Sequence, residues 1–302
     1  MQAKVVVVGS LNMDLIVRTP RLPVGGETLA GHGFATAPGG KGANQAVAAA
    51  RLGADVAMIG CVGDDAYGAD LRAGLIAEGI DCGAVMSAPG VPTGIATILV
   101  DDAGQNAIII AAGGNGELTP DRLAAHDALL QAADIVIAQL EVPLPTVEAT
   151  LHRAHELGRT VILNPAPATG PLPIHWYGLV DYLIPNESEA ALLTGIQVDS
   201  PQSALLAAHK LLRRGARRVL ITLGSQGVLY ADATRHLHLP VDPVVAIDTT
   251  AAGDTFVGGF AAALAAGQPL EAAISLGQRA AALAVTRPGA QPSIPYRHEL
   301  PA

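Results

Sequence analysis

Val5-Val-Val-Val8-Gly9-Ser-Leu-Asn12-Met-Asp14 is the stretch on which the fold turns. Four consecutive valines leave no polar position for water. The strand they predict is therefore covered on both faces, as in a parallel sheet packed between helices. A glycine and two polar residues at alternate positions follow at once. Ligands of open parallel sheets bind beyond the carboxyl ends of the strands, so Asn12 and Asp14 fall where a crevice is expected. Asp14 can accept hydrogen bonds from two vicinal hydroxyls. The same residues also suit an ordinary turn, and the segment alone leaves both readings open.

The same pattern recurs outward along the chain. Val56–Ile59, Ile135–Ala138, Val161–Leu163, Tyr182–Ile184 and Val219–Thr222 read as further buried parallel strands. Helix-like stretches separate them, at Asn44–Leu52, Ala69–Glu78, Thr119–Ala132, Leu144–Leu157, Glu187–Leu193 and Pro201–Arg214. Several end at a glycine, the usual helix stop. Two more helices, Thr255–Ala266 and Leu270–Thr286, close the chain and break the alternation. Alternating strands and helices predict a layered α/β fold. Leu15–Ala37 and Thr93–Ala111 do not fit the alternation. The second reads as a hairpin around Asp101-Asp-Ala-Gly104, and together the two predict a small separate β-sheet with one face over a cleft and another part on a partner.

Composition supports this reading. Of 302 residues half are apolar but only 3% aromatic, so the core must be built from Ala, Val, Leu and Ile. The formal net charge of −9 argues against nucleic acid or an anionic membrane as partner. Any phosphate site is then local, made of backbone N–H groups and a few cations. Cys61 and Cys82 lack metal-ligand spacing, and reduced thiols are the default. The N-terminal apolar run is too short for a signal segment and no stretch has the length of a membrane span. A cytoplasmic protein is expected.

Two motifs carry the chemistry. Asp248-Thr-Thr-Ala-Ala-Gly-Asp254-Thr-Phe256 places Ala251, Ala252 and Gly253 just before a carboxylate at a predicted helix start. Small residues admit close approach, and free N–H groups of a first helical turn attract an anion. A carboxylate beside that anion suits a base that deprotonates a nucleophile attacking phosphate, or else a plain N-cap. Pro38-Gly-Gly-Lys41-Gly-Ala-Asn44-Gln-Ala reads as backbone pressed against a polar ligand at a second helix start. It is not a Walker A loop, because Gly42 stands where Ser or Thr would follow the lysine. Glu141, Asn164, Asn186, Glu189 and Thr222–Gly227 add polar or glycine positions after successive strands. Each alone suits a cap or a turn, whereas their recurrence at one sheet edge points to a site. The nine histidines form no metalloprotease or catalytic-triad pattern.

Taken in order, these motifs resemble the ribokinase-like (PfkB) family of sugar kinases. The match covers Gly9–Asp14, Gly39–Ala48, Asn164-Pro-Ala-Pro167, Pro185-Asn-Glu187, Ile221–Ser225, Asp248–Phe256 and the tail Ala284–Ser293. The resemblance implies a three-layer α/β/α domain with a central, mostly parallel sheet (residues 1–14, 38–92 and 112–302). It adds a β-sheet lid (15–37 and 93–111) that pairs in a homodimer. It implies ATP and D-ribose as substrates, with transfer to the 5-hydroxyl. Asn12, Met13, Asp14, Gly40, Lys41, Gly42, Ala43, Asn44 and Glu141 would form the sugar site. Asp254 would be the general base, and Ala251, Ala252 and Gly253 the anion cradle. Asn186, Glu189, Thr222, Leu223, Gly224, Ser225, Gln226, Gly227, Gly253 and Gln278 would face ATP, with Glu189 organising the Mg²⁺-bound phosphates. Asp248, Thr250, Ala284, Arg287, Gly289 and Ser293 match positions for an activating monovalent cation, usually K⁺. The chain departs from the family pattern in lacking a histidine near Ala111 and in carrying Gln278. Competing readings are a family member acting on deoxyribose, a nucleoside or a keto-sugar acid, and a non-catalytic sensor on the same scaffold. A dehydrogenase is disfavoured, because no G-x-G-x-x-G is present.

Overall fold

The computed structural model describes residues 4–300, so residues 1–3 and 301–302 at the two ends of the large-domain range lie outside it. β1 (Lys4–Val8) leads into β2 (Asn12–Thr19) and β3 (Gly33–Gly39), then α1 (Lys41–Arg51), β4 (Asp55–Gly63), α2 (Ala66–Ala77) and β5 (Asp81–Ala88). The hairpin β6 (Gly94–Asp101) and β7 (Asn106–Ala111) follows, then α3 (Pro120–Ala124), α4 (Asp127–Ala132), β8 (Ile135–Ala138), α5 (Leu144–Glu156), β9 (Thr160–Leu163) and β10 (Tyr182–Leu183). The chain continues with α6 (Glu187–Thr194), α7 (Pro201–Arg213), β11 (Arg218–Thr222), β12 (Val228–Asp232), β13 (His236–Leu239), α8 (Ala252–Ala265) and α9 (Leu270–Ala284).

Nine strands form the main sheet in the order β13-β12-β11-β10-β9-β8-β1-β4-β5. Seven of them, from β11 to β5, are mutually parallel, and β12 and β13 add antiparallel at one edge. β1 lies inside, paired to β4 and β8, as its run of valines requires. Val5 and Val7 join one buried cluster, roofed by α1, α8 and α9, while Val6 and Val8 join the other, against α5 and α7. Period-two alternation thus divides one strand between two cores. The carboxyl ends of β1, β8, β9, β10 and β11 share an edge, where the site is built.

A second sheet, β3-β2-β6-β7, contains the predicted hairpin. β2 begins at Asn12, so Asn12 and Asp14 are the first rungs of this sheet rather than a turn, paired to Gly39 and Ala37. The sheet has an apolar exposed surface, with Phe34, Ile108, Ile109 and Ile110 all open to solvent.

Three expectations change. The predicted helix Thr119–Ala132 is broken at Ala125–His126 into α3 and α4, and the restart puts Asp127 against the Arg153 guanidinium at 2.7 Å. β5, β12 and β13 do not stand out in the sequence, because β5 and β13 are edge strands whose polar positions dilute the apolar run. α8 begins at Ala252 instead of Thr255, which brings Asp254 inside the first turn.

Candidate active site

Asp254 is the third residue of α8, but its side chain caps nothing. The cap position is Ala251, in the left-handed region at φ 58°, with no side-chain cap bond. Among the described residues Ala251 is the only non-glycine there, a conformation that costs about 1 kcal/mol or more and marks functional loops. The turn leaves the Gly253 and Asp254 N–H groups without a partner among the described residues, while Thr255 N–H returns to the Ala251 carbonyl at 2.8 Å. A cavity of about 200 Å³ lies in front of this turn, with Lys41, Asn186, Glu189, Thr249 and Asp254 in its wall. Backbone donors and one cation around a small polar space are the elements of an anion site.

The Asp254 carboxylate, 6% exposed, is gripped from α1. Asn44 Nδ2 donates to Oδ2 at 3.0 Å and Gln45 Nε2 donates to Oδ1 at 2.9 Å. α1 and α8 come this close because Gly258 faces α1. A Cβ there would stand 2.5 Å from Ala48 Cβ and 2.7 Å from the Gln45 carbonyl oxygen. Gln45 follows Asn44 directly in the glycine-lysine motif, where nothing local marks it as a partner of Asp254. Gln139, which donates to Gln45 Oε1 at 2.7 Å, was hidden at the end of an apolar run.

The glycines of the α1 turn are required by the packing of the chain itself. A Cβ on Gly42 would lie 2.6 Å from Ser10 N, and one on Gly40, at φ 90°, 2.7 Å from Asn12 N. Glycine at these positions lets the helix start nest on the chain after β1. Gly42 and Ala43 N–H groups accordingly donate to Ser10, and Met13 is buried in the core. Glu141 Oε2 accepts from Ser10 Oγ at 2.6 Å and from Lys41 N–H at 3.0 Å. Asn12 Oδ1 accepts from Asn115 Nδ2 at 2.8 Å.

Two acceptors on this side lack donors. Asn44 Oδ1 is buried and unpartnered among the described residues. Asp14, 7% exposed, has a carboxylate that receives no hydrogen bond from a described side chain or backbone N–H. Its carboxyl is pushed up to about 7 by burial first, then by the charges of Glu141 and Asp254. A Cβ on Gly39 would stand 2.4 Å from Asp14 Oδ2, so glycine there is what leaves the carboxylate room. Lys41 answers this negative cluster. Burial pulls its ammonium down, yet the charges of Asp254, Glu141 and Glu189 hold it above its ordinary value.

On the other side of Asp254 a second cavity, about 490 Å³, continues from Asn186, Thr222 and Gly253. Gly224, Ser225, Gly227 and Gln278 line it as expected, and Glu187, Phe256 and the 241–246 segment complete an apolar slot. Leu223 is instead a core residue and Gln226 points to the Asp199 carbonyl, so neither side chain lines the slot. Asn186 caps α6, accepting from Glu189 N–H at 2.8 Å while Glu189 accepts from Asn186 N–H at 2.9 Å. Burial, the leading influence, raises the Glu189 carboxyl against that hydrogen bond and Lys41. One Glu189 oxygen remains free for water or a metal-bound phosphate.

Of the remaining predicted residues, Asp248, Thr250 and Gly289 meet just before the turn at Ala251. Asp248 Oδ1 accepts from Thr250 N–H and Oγ at 2.9 and 2.6 Å, and Oδ2 accepts from Gly289 N–H at 2.8 Å. Burial opposes ionisation of Asp248, but these bonds and the charge of Arg18 hold its carboxyl below the usual range. Ile247 N–H reaches the Val285 carbonyl at 2.7 Å, which ties the segment before Asp248 to the end of α9. The Arg287 guanidinium goes to Glu299 at 2.8 Å, so only its carbonyl is left for a ligand. The donors available here, a carboxylate, backbone carbonyls and the Ser293 hydroxyl, are all oxygens and carry one negative charge. That set fits a monovalent cation.

A turn with free N–H groups, a buried carboxylate and a nucleotide-sized slot at the carboxyl edge of a parallel sheet are the parts that a phosphoryl-transfer enzyme acting on a hydroxyl requires. Residues 2–297 match the family model described as pfkB family carbohydrate kinase, and the chain belongs to that family. Within it, the chain is 45% identical over 302 residues to the ribokinase of Schizosaccharomyces pombe, covering 96% of this chain and 94% of that protein. It is 38% identical over 293 residues to the deoxyribokinase of Salmonella typhi, covering 96% and 95%. Among solved structures it superposes on the ribokinase of Arabidopsis thaliana complexed with ribose and ATP with TM-score 0.93, 34% identity, and coverage of 99% and 97%.

Proposed function

We propose that this chain phosphorylates D-ribose at O5 with ATP, giving ribose 5-phosphate and ADP. One observation carries the sugar half of this reading. Asn44 Oδ1 is a fully buried acceptor with no donor among the described residues, and the largely buried Asp14 carboxylate receives no hydrogen bond from them. Leaving such groups unpaired costs about 1–3 kcal/mol each. A ligand rich in hydroxyl donors relieves both, and Glu141 and Lys41 stand beside them.

In the reaction, Asp254 takes the proton of the 5-hydroxyl as that oxygen bonds to the γ-phosphorus. The bond from phosphorus to the bridging oxygen of ADP breaks, so charge moves from the acceptor to the leaving diphosphate. The Gly253 and Asp254 N–H groups and Lys41 face the transferring group, where fixed donors are most effective. The apolar slot from Val228 to Val285 suits an adenine ring. Mg²⁺ arriving with ATP would neutralise phosphate charge, with the free Glu189 oxygen holding its water shell. K⁺ at Asp248, Thr250, Ala284, Arg287, Gly289 and Ser293 would keep the turn before Ala251 in shape.

The small sheet is read as a lid that excludes water, which would otherwise consume ATP. Its exposed apolar residues, Phe34 and Ile109 on one face and Ile108 and Ile110 on the other, are read as a homodimer contact. No helix among the described residues is long and apolar enough to cross a membrane. With both cysteines free, a cytoplasmic site of action is the fitting one.

ATP consumption over a panel of ribose, deoxyribose, hexoses and nucleosides tests the reading. Preferential turnover of ribose, with phosphate on O5, is expected. Preference for deoxyribose or a nucleoside would reassign the substrate, and sugar binding without turnover would make the chain a sensor.

A further inference from the structure

The Asp254 carboxylate is held on one oxygen by an amide that cannot reach a substrate. Gln45 is 0% exposed and Gln139 is 0% exposed, and neither lines either of the two cavities described above. Gln45 Nε2 lies 2.9 Å from Asp254 Oδ1 and 3.1 Å from Asn164 Oδ1, while its Oε1 accepts from Gln139 Nε2 at 2.7 Å. Asn164 is itself oriented by a backbone group, because its Nδ2 donates to the Ile184 carbonyl at 2.8 Å. A backbone carbonyl only accepts, so Asn164 must turn its oxygen to Gln45, and Gln45 must turn its nitrogen to both acceptors. Flipping the Gln45 amide would set oxygen against two oxygens. Gly9 makes room for the far end, since a Cβ there would stand 2.0 Å from Gln139 Oε1.

We infer that Gln45, clamped between Gln139 and Asn164, is the positioning residue that fixes the plane of the Asp254 carboxylate and hence the oxygen it presents to the acceptor hydroxyl. The inference rests on the reading of Asp254 as the base. It also explains two features that the sugar, nucleotide and cation sites leave over. Gly9 is needed by the Gln139 amide, and the polar pair Gln45 and Gln139 sits fully buried beneath the site. The chain of amides runs from the ends of β8 and β9 and the backbone just after β10 through α1 to α8. The base is therefore referenced to the main sheet rather than to its own helix turn.

The test is steady-state kinetics of the full-length protein with ATP and the sugar that it turns over. Gln45→Leu keeps the size and removes the donor. It is expected to lower kcat by about 10- to 100-fold, the loss of one hydrogen bond to a charged group, with KM for sugar within about threefold. Gln139→Leu leaves the donor but frees its orientation, and a smaller fall of about 3- to 10-fold in kcat is expected. Gln45→Glu sets a second carboxylate against Asp254 while Lys41, Asp14, Glu141 and Glu189 are unchanged. It should move the acid limb of the kcat–pH profile to higher pH, which a merely structural change would not do. Parental kcat in Gln45→Leu overturns the inference. If that variant does not fold, an unmoved pH profile in Gln45→Glu together with parental kcat in Gln139→Leu overturns it instead. Turnover by the parent that is absent on every sugar overturns the kinase reading, and the positioning role with it.

Discussion

Replacing Asp14 by Asn should make the protein more stable while it destroys sugar binding. The Asp14 carboxyl is raised from 3.8 to about 7 in the folded chain, so the folded state resists its ionisation. A gap of about 3 pH units at about 1.4 kcal/mol each gives a cost approaching 4 kcal/mol once the group is fully ionised. The sign follows from the raised value. Asp14 does no harm below about pH 4, its cost grows as pH rises toward 7, and the full cost applies above. An asparagine amide has no charge to desolvate but must find its own partners, which offsets part of the gain. A net stabilisation of about 1–3 kcal/mol at pH 8 is expected, shrinking toward zero near pH 4. Urea midpoints of the two proteins, measured without sugar at intervals from pH 4.5 to 8.5, read this directly. Calorimetry with ribose should show a loss of affinity of about 100-fold or more, because two hydroxyls lose an ionised acceptor. An Asn variant no more stable than the parent at pH 8, or stabilised equally at all pH values, would refute the reasoning. In the parent, ribose affinity should fall about tenfold per pH unit below 7 and level off above it, since ionised Asp14 is the binding form.

Asp254→Asn should lower turnover by about two to four orders of magnitude with ribose affinity largely kept, and turnover near the parental rate would remove Asp254 as the base. Gly258→Ala should destabilise the protein by about 1–3 kcal/mol and lower kcat more than KM, because its methyl forces α8 off α1 where Asn44 and Gln45 hold the base; denaturation and kinetics on one preparation decide it. Replacing K⁺ by Na⁺ should change parental activity, and Asp248→Ala should abolish that difference by releasing Thr250 and Gly289; equal rates in both salts for the parent would eliminate the cation site.

Much of the architecture was legible because it follows from periodicity. Unbroken apolar runs such as Val5–Val8 can only be interior strands, and glycine stops mark the helices between them. The less regular parts were not legible. β5 and β13 lie at sheet edges, where half the positions face water and the pattern thins. The break between α3 and α4 depends on where Asp127 meets Arg153 on a different helix. Within the site, polar residues at strand ends were readable one by one, but not which of them touch. Gln45 and Gln139 are 94 residues apart, and Gln45 and Asp254 are 209 apart. No local rule pairs such residues.

Val5–Asp14 illustrates the division. Its order of residues dictates a buried strand followed by polar groups at a carboxyl edge, since solvation and strand geometry act on neighbours in the chain. Asp248–Phe256 dictates a turn of small residues with an acid close behind. That Asp254 does not cap its helix was decided only when α8 packed on α1 and two amides took its oxygens. Whether Asn12 and Asp14 make a turn or enter a sheet was decided only by pairing with β3 and β6. The fate of a side chain depends on the partner it meets, and these partners come from distant segments that only the packed fold brings within hydrogen-bonding distance.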